Sequence, residues 1–437
     1  MMSPHTTILV GDALDVLADL PDDHFQCAIT SPPYWSLRDY GVSGQLGLEP
    51  RLDCLGWATG APCGACYVCK MVAVFRAVRR VLRADGIAWM NMGDCYEGAR
   101  RGGNPPDSPH QKQATNAGSV NTPLTVQPGL KPKDLCLVSS RVALALQADG
   151  WWVRSMVPWV KANPMPESCT DRPTSALESV FMLTKSARYF ADMEGVRKVH
   201  AKASVQRAST PENVRSHDDD TGLVRSQSWT CDAVVLSPGG RAYRNTDLYF
   251  ESITRPHGAI FAGSELVGLN VNPQPFKEAH FATFPERLVL PLVKMGTSEK
   301  GCCRKCGKVW VRVIAERTMP RVDPSDIDRF GNGEAGVHRK IGSKYQGWLD
   351  KNPPRTVGWR PACECDAGDP VPCRVLDPFC GSGTTGVVAG QLGRDFTGIE
   401  LNPDYAIMAE KRIAIALRPN TARVDRGSEE GGLFGAV

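Results

Sequence analysis

The sequence lacks any apolar run of the ~18 residues that a membrane-spanning helix requires, and it has no charged-then-apolar leader at its start. Neither a membrane span nor a signal peptide is therefore indicated. Strong charge of one sign is also missing, because 51 Lys and Arg residues stand against 47 Asp and Glu residues. A formal charge of +4 argues for local basic patches rather than a uniformly cationic surface. We expect a protein of the reducing cytoplasm.

A glycine-rich segment near the end of the chain has no Walker lysine, which disfavours a nucleoside triphosphate as its ligand. Residues 375–386 read V-L-D-P-F-C-G-S-G-T-T-G, a short apolar strand with an acid at its end and then a tight turn. The pattern predicts a helix over 384–392 and a second strand over 395–399, which Glu400 follows. This is the plan of a β-α-β nucleotide-binding unit, in which an acid about 20 residues after the turn can accept hydrogen bonds from ribose hydroxyls.

A second segment, T-S-P-P-Y-W at residues 30–35, follows an apolar run at 25–29 that has the length of a buried strand. Proline has no N–H to donate, and the first proline forces Ser31 into an extended conformation. The result is a stiff turn that offers carbonyl acceptors, a serine hydroxyl and the aromatic faces of Tyr34 and Trp35. Such a turn suits holding a planar base by its amino group, and an ordinary Pro-Pro turn beside a packed tyrosine is the alternative.

Together the two segments resemble motif IV (T-S-P-P-Y) and motif I (D-P-F-C-G-S-G-T) of the S-adenosylmethionine-dependent DNA amino-methyltransferases. Their order, with the catalytic motif first, resembles the permuted β group of that family. The resemblance extends to I-L-V-G-D at 8–12, to stretches at 81–94 and 159–185, and to H-F-A-T-F-P-E-R-L at 280–288. It implies a Rossmann-like α/β fold with a mostly parallel sheet, in which the strands of motifs I and IV are neighbours.

The resemblance implies that Ser31, Pro32, Pro33 and Tyr34 carry the catalysis. The amino nitrogen of cytosine or adenine is a poor nucleophile because its lone pair is delocalised into the ring. Ser31 Oγ and the Pro32 carbonyl are the expected acceptors for its two N–H groups. Tyr34 is expected to stack on a base that has left the duplex. Rate acceleration should then come from positioning and electrostatic preorganisation, without a covalent intermediate.

The identity of the methylated base is predicted from two features of the sequence. A Pro-Cys pair at a strand end, which a ring-carbon methyltransferase would need, does not stand out: Pro62-Cys63 and Pro372-Cys373 both lie in cysteine clusters. In the resembled family, a serine at the first motif position is typical of N4-cytosine enzymes, and an aspartate is typical of N6-adenine enzymes. Ser31 therefore favours N4-cytosine, with N6-adenine as the alternative.

The resemblance also implies S-adenosylmethionine as the methyl donor and places its parts along the chain. Asp377 and the glycine backbone are expected around the methionine end, with Phe379 against the adenosine or the sulfonium. Glu400 is expected at the ribose and Asp12 at the adenine edge. The full cofactor set comprises Asp12, Asp377, Phe379, Gly381, Gly383, Thr384, Glu400 and Asn402.

Contacts with double-stranded DNA are expected from polar residues that follow a predicted strand at 151–161. Lys161, Asn163 and Arg172 are candidates for phosphate or base contacts, and ordinary surface positions are the alternative. Trp35 is a further DNA-binding candidate beside the catalytic turn.

Two long polar stretches should also serve DNA binding. Residues 97–134 are poor in apolar side chains and should form a mobile loop, which either closes over the DNA backbone or acts as a linker. Residues 195–270 occupy the position of the target-recognition region in the resembled group. Which base pairs they read does not follow from the residues.

Cysteine is abundant, with 16 residues, and its clustering as C-x-x-C favours zinc over a disulfide framework. The preferred set has four sulfur ligands, so its zinc would be structural, with Cys302 as a substitute for the first ligand. A second, weaker set has irregular spacing, and locally packed free thiols are the alternative for both. The preferred set is Cys303, Cys306, Cys363 and Cys365, and the weaker set is Cys54, Cys63, Cys66 and Cys69.

The length of 437 residues exceeds one average domain, and we expect a catalytic domain with inserts. The catalytic half should occupy 1–194, with a cysteine-rich insert at 54–69 and the mobile loop at 97–134. The cofactor-binding half should occupy 271–300 and 374–417. The remaining segments are the target-recognition region at 195–270, a zinc-binding insert at 301–373 and a loose tail at 418–437.

The sequence thus predicts a site-specific DNA methyltransferase that acts on the N4 amine of a flipped cytosine. The alternatives are an N6-adenine enzyme of the same fold, a zinc-containing DNA-binding protein without turnover, and an RNA or small-molecule methyltransferase. A cognate restriction endonuclease or none, and a monomer or a homodimer, are all compatible with the sequence.

Overall fold

The protein is described by a computed structural model that covers residues 4–98, 127–161, 171–172, 175–196, 258–262, 265–271, 284–315 and 355–418. Asn163, most of the predicted mobile loop, most of the target-recognition region and nearly all of the tail lie outside the described residues. The predictions made for those parts therefore stay predictions.

Eleven strands are present in the described part of the chain. In chain order they are β1 Thr6–Val10, β2 Phe25–Thr30, β3 Leu82–Met92, β4 Trp152–Val160, β5 Leu177–Thr184, β6 Gly258–Ala262, β7 Glu265–Asn270, β8 Trp310–Ile314, β9 Thr356–Pro361, β10 Arg374–Asp377 and β11 Asp395–Glu400.

Seven helices accompany these strands within the same ranges. They are α1 Ala13–Asp19, α2 Gly56–Thr59, α3 Tyr67–Val81, α4 Val138–Ala148, α5 Glu286–Gly296, α6 Thr384–Gln391 and α7 Pro403–Ala416. The described helices include none with the length and apolar character needed to cross a bilayer.

Nine of the strands form one sheet in the order β1-β11-β10-β2-β3-β5-β4-β7-β6. The first five strands in this order pair in parallel, and so do β4 and β7. Strand β5 runs antiparallel to both β3 and β4, and β6 runs antiparallel to β7. The predicted mostly parallel α/β fold is confirmed. Strands β8 and β9 form a separate antiparallel pair.

Strand β2, which precedes the T-S-P-P-Y turn, is buried along its whole length. Successive side chains of a strand point to opposite faces, so Ala28 packs in one core cluster with α3 and α4, while Cys27 and Ile29 pack in another with α5 and α6. Strand β10 pairs directly with β2, with Val375 opposite Cys27. The expected adjacency of the motif I and motif IV strands is therefore correct.

The five neighbouring strands β1, β11, β10, β2 and β3 run parallel, so their carboxyl ends lie together along one side of the sheet and their amino ends along the opposite side. We call the end where β2, β10 and β11 finish, at Thr30, Asp377 and Glu400, the carboxyl edge. The opposite end, where β2 and β10 begin at Phe25 and Arg374, is the amino edge. Ligands of open α/β sheets bind at the carboxyl edge, where strand order reverses.

Candidate active site

The carboxyl edge opens into a cavity with an empty volume of about 1010 Å³, including the solvent at its mouth. Its wall joins motifs that lie at opposite ends of the sequence. Ser31 and Pro33 come from the turn after β2, and Phe379 comes from the loop after β10. The members of the predicted cofactor set that line it are Asp12, Phe379, Gly381, Thr384, Glu400 and Asn402.

Glu400 ends β11 at the floor of this cavity. Its Oε2 accepts a hydrogen bond from the Gly381 N–H at 2.8 Å, and its Oε1 accepts one from the Asn402 N–H at 2.9 Å. Burial raises the pKa of the Glu400 carboxyl above its ordinary value. A carboxylate has about four lone-pair positions, so acceptor capacity remains for further donors such as ribose hydroxyls.

Asp12 and Asn402 each begin a helix at the cavity wall. Asp12 Oδ1 accepts from the Leu14 N–H at 2.8 Å at the start of α1, and Asn402 Oδ1 accepts from the Asp404 N–H at 2.9 Å at the start of α7. Side-chain caps of this kind satisfy backbone donors that a helix start leaves unpaired. Both residues thus shape the wall, and the predicted contact of Asp12 with an adenine edge stays a prediction.

Asp377 lies beneath the cavity wall, and this corrects the expectation that it contacts the cofactor directly. It is fully buried, its Oδ2 accepts from Thr385 Oγ1 at 2.7 Å, and its Oδ1 accepts from the Phe379 N–H at 3.1 Å. Burial raises the pKa of Asp377 to about 6. The carboxyl group therefore orders the glycine loop from below.

The two glycines of this loop have different roles. Gly381 lines the cavity, whereas a Cβ built on Gly383 would lie 3.0 Å from the Cβ of Ala409 in α7. Gly383 also has a φ of +78°, which disfavours any other residue. Gly383 therefore permits close packing of α6 against α7, and its expected backbone contact with the cofactor stays a prediction.

A network of polar side chains surrounds the catalytic turn. Ser31 Oγ donates to Tyr34 Oη at 3.2 Å, and Tyr34 Oη donates to Glu178 Oε2 at 2.7 Å. Asn91 Nδ2 lies 2.9 Å from Tyr34 Oη and 3.4 Å from Ser31 Oγ. Lys161 forms an ion pair with the other oxygen of Glu178. The network ties the turn after β2 to β3, β4 and β5.

The direction of these hydrogen bonds sets the role of Ser31. Burial, and then the nearby Glu178 carboxylate, raise the pKa of Tyr34 well above its ordinary value, so its hydroxyl stays a donor toward Glu178. The Tyr34 oxygen then accepts the Ser31 proton. With its proton directed to Tyr34 and one lone pair facing Asn91 Nδ2, Ser31 Oγ keeps one lone pair for a further donor such as an amino group.

Two of the predicted DNA contacts have other partners. Trp35 is 1% exposed and its Nε1 donates to the Glu49 carbonyl at 2.8 Å, so the prediction that it contacts DNA is wrong. Lys161 is paired with Glu178 and lies 4.8 Å from the Trp159 ring centroid. Lys161 therefore takes part in the polar network around Tyr34, and its expected phosphate or base contact stays a prediction.

Arg172 remains a candidate for DNA binding. Its guanidinium lies 3.8 Å from the centroid of the Tyr96 ring, which flanks the start of the long polar stretch. The prediction for Arg172 therefore stands as made. Asn163, the fourth member of the predicted set, falls outside the described residues.

Several residues of the site were not singled out from the sequence. Glu178 and Asn91 complete the network around Tyr34, and the rings of Tyr40, Phe284 and Tyr405 line the cavity. Asn91 had a recognisable signal, because an amide inside the apolar strand A-W-M-N-M requires a polar partner when buried. Glu178 had none, since it reaches Tyr34 only through the antiparallel pairing of β5 with β3.

The structure brings both predicted cysteine sets together. We call Cys54, Cys63, Cys66 and Cys69 the first cluster, and Cys303, Cys306, Cys363 and Cys365 the second cluster. In each, the four sulfur atoms lie within 4.8 Å of one another. Cys302 instead packs with Val309 and Cys373, so the suggestion that it could replace Cys303 is wrong.

One cysteine in each cluster is favoured as a thiolate, whereas burial raises the pKa of Cys66 and Cys69, and hydrogen bonds from neighbouring thiols raise that of Cys365. In the first cluster, the Cys66 N–H donates to Cys63 Sγ at 3.3 Å and the Gly56 N–H donates to Cys54 Sγ at 3.2 Å. Backbone N–H groups lower the pKa of Cys63 to about 6 and that of Cys303 to about 7. Thiolate is the form that binds a metal ion.

Comparison with known proteins connects this geometry to a family. The chain matches a family model described as DNA methylase over residues 25–303 and 374–411. It is 32% identical over 407 residues to the type II methyltransferase M.Cfr9I of Citrobacter freundii, covering 93% of this chain and 87% of that protein. It is 32% identical over 420 residues to M.SfiI of Streptomyces fimbriatus, with 92% and 89% covered. It is 29% identical over 406 residues to M.SmaI of Serratia marcescens, with 93% and 90% covered.

Proposed function

The chain belongs to the DNA methylase family, and we propose that it transfers a methyl group from S-adenosylmethionine to the N4 amine of a flipped cytosine in duplex DNA. Family membership confirms the DNA amino-methyltransferase expected from the two motifs. The observation that carries the proposal is the shared cavity, in which Ser31 of the catalytic turn faces the same space as Glu400.

The cavity suits S-adenosylmethionine in its chemistry. Small-molecule sites commonly combine apolar walls with a few placed polar groups. Here Phe379 and Tyr405 supply aromatic surface, and Glu400 supplies an acceptor for a ribose. The Gly381 backbone lets a ligand approach the loop closely. When bound, the cofactor supplies an electrophilic methyl group on a sulfonium.

The residues of the catalytic turn prepare the amine for attack. Ser31 Oγ, whose own proton is directed to Tyr34, accepts one N–H of the base. The Pro32 carbonyl accepts the other, and Tyr34 and Pro33 border the base. Two acceptors on the two N–H groups favour a tetrahedral nitrogen, and the fixed network means that little reorganisation is needed as this happens.

The choice of cytosine rests on Ser31. A serine hydroxyl is a neutral acceptor, and in the resembled family it is typical of N4-cytosine enzymes, where an aspartate is typical of N6-adenine enzymes. The N6 amine of adenine is chemically similar and remains the second candidate substrate. We also propose a role in restriction-modification, because the relatives reported above are type II methyltransferases.

The second cluster supports a structural zinc ion. Its four sulfur atoms are close enough to share one tetrahedral ion, and four protein ligands leave no open position for a substrate. Cys306, Cys363 and Cys365 fall in the interval between the two spans that match the family model. We infer that this zinc holds an insert in place at the sheet.

Nucleoside mass spectrometry on unmethylated DNA incubated with the protein and S-adenosylmethionine tests the reaction. The expected product is N4-methylcytosine. If isothermal titration calorimetry shows that the protein does not bind S-adenosylmethionine, no methylated product is expected. N6-methyladenine would keep the enzyme and overturn the base assignment. Folded, zinc-replete protein that binds DNA and yields no methylated base would favour a non-catalytic DNA-binding protein.

A further inference from the structure

We propose that the first cluster binds a Zn²⁺ ion and that this ion positions the catalytic turn through Tyr67. The idea rests on the proposed function for its effect on methyl transfer, but metal binding can be measured without any activity. This role differs from the structural role inferred for the second cluster, because the ion in the first cluster would support the residues that bind the base.

The distances of the first cluster match those of a metal site. With zinc–sulfur bonds of about 2.3 Å, a regular tetrahedron separates its sulfur atoms by about 3.8 Å. Here Cys54 Sγ lies 3.6 Å from Cys69 Sγ, and Cys63 Sγ lies 3.9 Å from Cys69 Sγ. The irregular spacing of the four cysteines is accommodated because residues 56–59 form the short helix α2 between the first two.

The ion would sit at the start of α3. Cys66 is the residue that caps this helix, and Cys69 lies in its first turn. Four thiolates around Zn²⁺ carry a net negative charge, which the partial positive charge of a helix N-terminus stabilises. The Tyr67 N–H also donates to the Arg51 carbonyl at 3.1 Å, so the helix start is fixed to the loop that follows the catalytic turn.

Tyr67 connects the cluster to the turn. It follows Cys66 directly, is fully buried, and its hydroxyl donates to the Pro33 carbonyl at 2.8 Å. The Pro33 carbonyl lies two residues after Ser31, within the turn that holds the base. Any movement of the first turn of α3 is therefore transmitted to Pro33, because a buried hydrogen bond of this kind is costly to leave unmade.

Zinc content of the full-length protein, purified with a thiol reductant in zinc-replete medium, tests the site. Wild-type protein should hold two ions per chain. The double substitution Cys63→Ser with Cys66→Ser should remove one, and Cys363→Ser with Cys365→Ser should remove the other. A wild-type protein with one ion, which only the Cys363→Ser with Cys365→Ser substitution removes, would overturn the proposal.

The coupling is tested by Tyr67→Phe, which keeps all four cysteines and the packing of the ring. We expect two zinc ions, unchanged affinity for S-adenosylmethionine, and a single-turnover methylation rate that is about 5- to 10-fold lower. Tyr189→Phe is the matched control, because that hydroxyl contacts Arg154, a residue of β4 outside the catalytic network. Its rate should stay at the wild-type value.

The two proposals fail in different ways. A Tyr67→Phe rate within two-fold of wild type would overturn the coupling while leaving the zinc count intact. Wild-type protein with two zinc ions and no methylated product would overturn the proposed function and leave the metal site standing.

Discussion

The two cysteine clusters have the same four-sulfur geometry but lie at opposite edges of the sheet. The first cluster reaches the carboxyl edge, since Tyr67 beside it donates to Pro33. The second cluster sits at the amino edge, where Arg83 Nη1 donates to the Cys306 carbonyl at 2.5 Å and Gln26 Nε2 donates to the Gly307 carbonyl at 2.9 Å. Gln26 and Arg83 both lie near the starts of their strands, β2 and β3.

Strand β2 connects the two edges. It has six residues, so at about 3.3 Å per residue the edges are separated by roughly 17–20 Å. The two proposed zinc ions thus have two different tasks. At the carboxyl edge, Tyr67 next to the first cluster donates to Pro33 of the catalytic turn. At the amino edge, the second cluster is hydrogen-bonded to Gln26 and Arg83 of the sheet. Substitutions of carboxyl-edge residues that contact the catalytic turn should therefore change rate, and substitutions at the amino edge should change stability.

The largest effect is expected for Ser31→Ala. Removing the acceptor that holds the amine should lower the methylation rate by roughly 10²–10³-fold, as loss of one preorganised polar contact does in other active sites. Thermal unfolding and zinc content should stay at their wild-type values. A variant that retains full single-turnover rate would show that Ser31 does not hold the base.

The contrasting substitution at the amino edge is Gln26→Leu. Gln26 is buried, donates to Gly307 and accepts from the Arg374 N–H at 2.6 Å, so leucine would leave two backbone groups without these partners. We expect the free energy of unfolding to fall by about 2–3 kcal/mol. Denaturant titration measures this loss, and the methylation rate per folded molecule should not change. A parallel loss of rate would contradict the expectation that substitutions at the amino edge change stability and leave the rate unchanged.

Asp377 sharpens the comparison because it lies at the carboxyl edge but acts on stability. Its pKa of about 6 in the folded protein exceeds the ordinary value of 3.8, so the folded state binds the proton more tightly than the unfolded state. Its contribution to stability is therefore present at low pH and decreases as the pH rises from about 4 to about 6. Asp377→Asn should remove that decrease, which is of the order of 1–3 kcal/mol. Unfolding curves at pH 4, 5, 6 and 7 check this, and identical pH profiles would contradict it.

A smaller effect than that of Ser31→Ala is expected for Glu178→Gln. The substitution keeps an acceptor for Tyr34 but removes the charge that pairs with Lys161. Because Glu178 acts through Tyr34 and Ser31, we expect a rate about 10-fold lower with unchanged cofactor affinity. Steady-state kinetics should show the loss in kcat rather than in KM for the cofactor. Tyr34→Phe in the same background should add little further loss if the two residues act in one network.

The local patterns of the sequence predicted most of the framework. Apolar runs and turn residues located β2, β10, α6 and β11 to within one residue at each end. Short apolar segments bounded by glycine or proline have few alternative structural interpretations. Ser31 and Glu400 both line the cavity, because each lies at the end of a parallel strand.

The errors concern contacts made over long sequence distances. Trp35 looked available for DNA, but its ring is buried and its Nε1 donates to the carbonyl of Glu49, 14 residues later. The ion pair of Lys161 with Glu178 was likewise not foreseen, because it depends on the pairing of β4 with β5. Asp377 belongs to a cofactor motif, yet its carboxylate is buried and bonded to Thr385 inside the fold. Local pattern does not encode which distant element packs against a residue.

The single-turnover methylation rates of Tyr67→Phe and Gln26→Leu, measured side by side at saturating DNA and S-adenosylmethionine, test the division between the edges most directly. The account predicts a rate about 5- to 10-fold lower for Tyr67→Phe and a wild-type rate for folded Gln26→Leu. Equal rates in the two variants would contradict it. The hydrogen bond from Tyr67 to the catalytic turn would then affect the rate no more than the hydrogen bonds of Gln26 at the amino edge do.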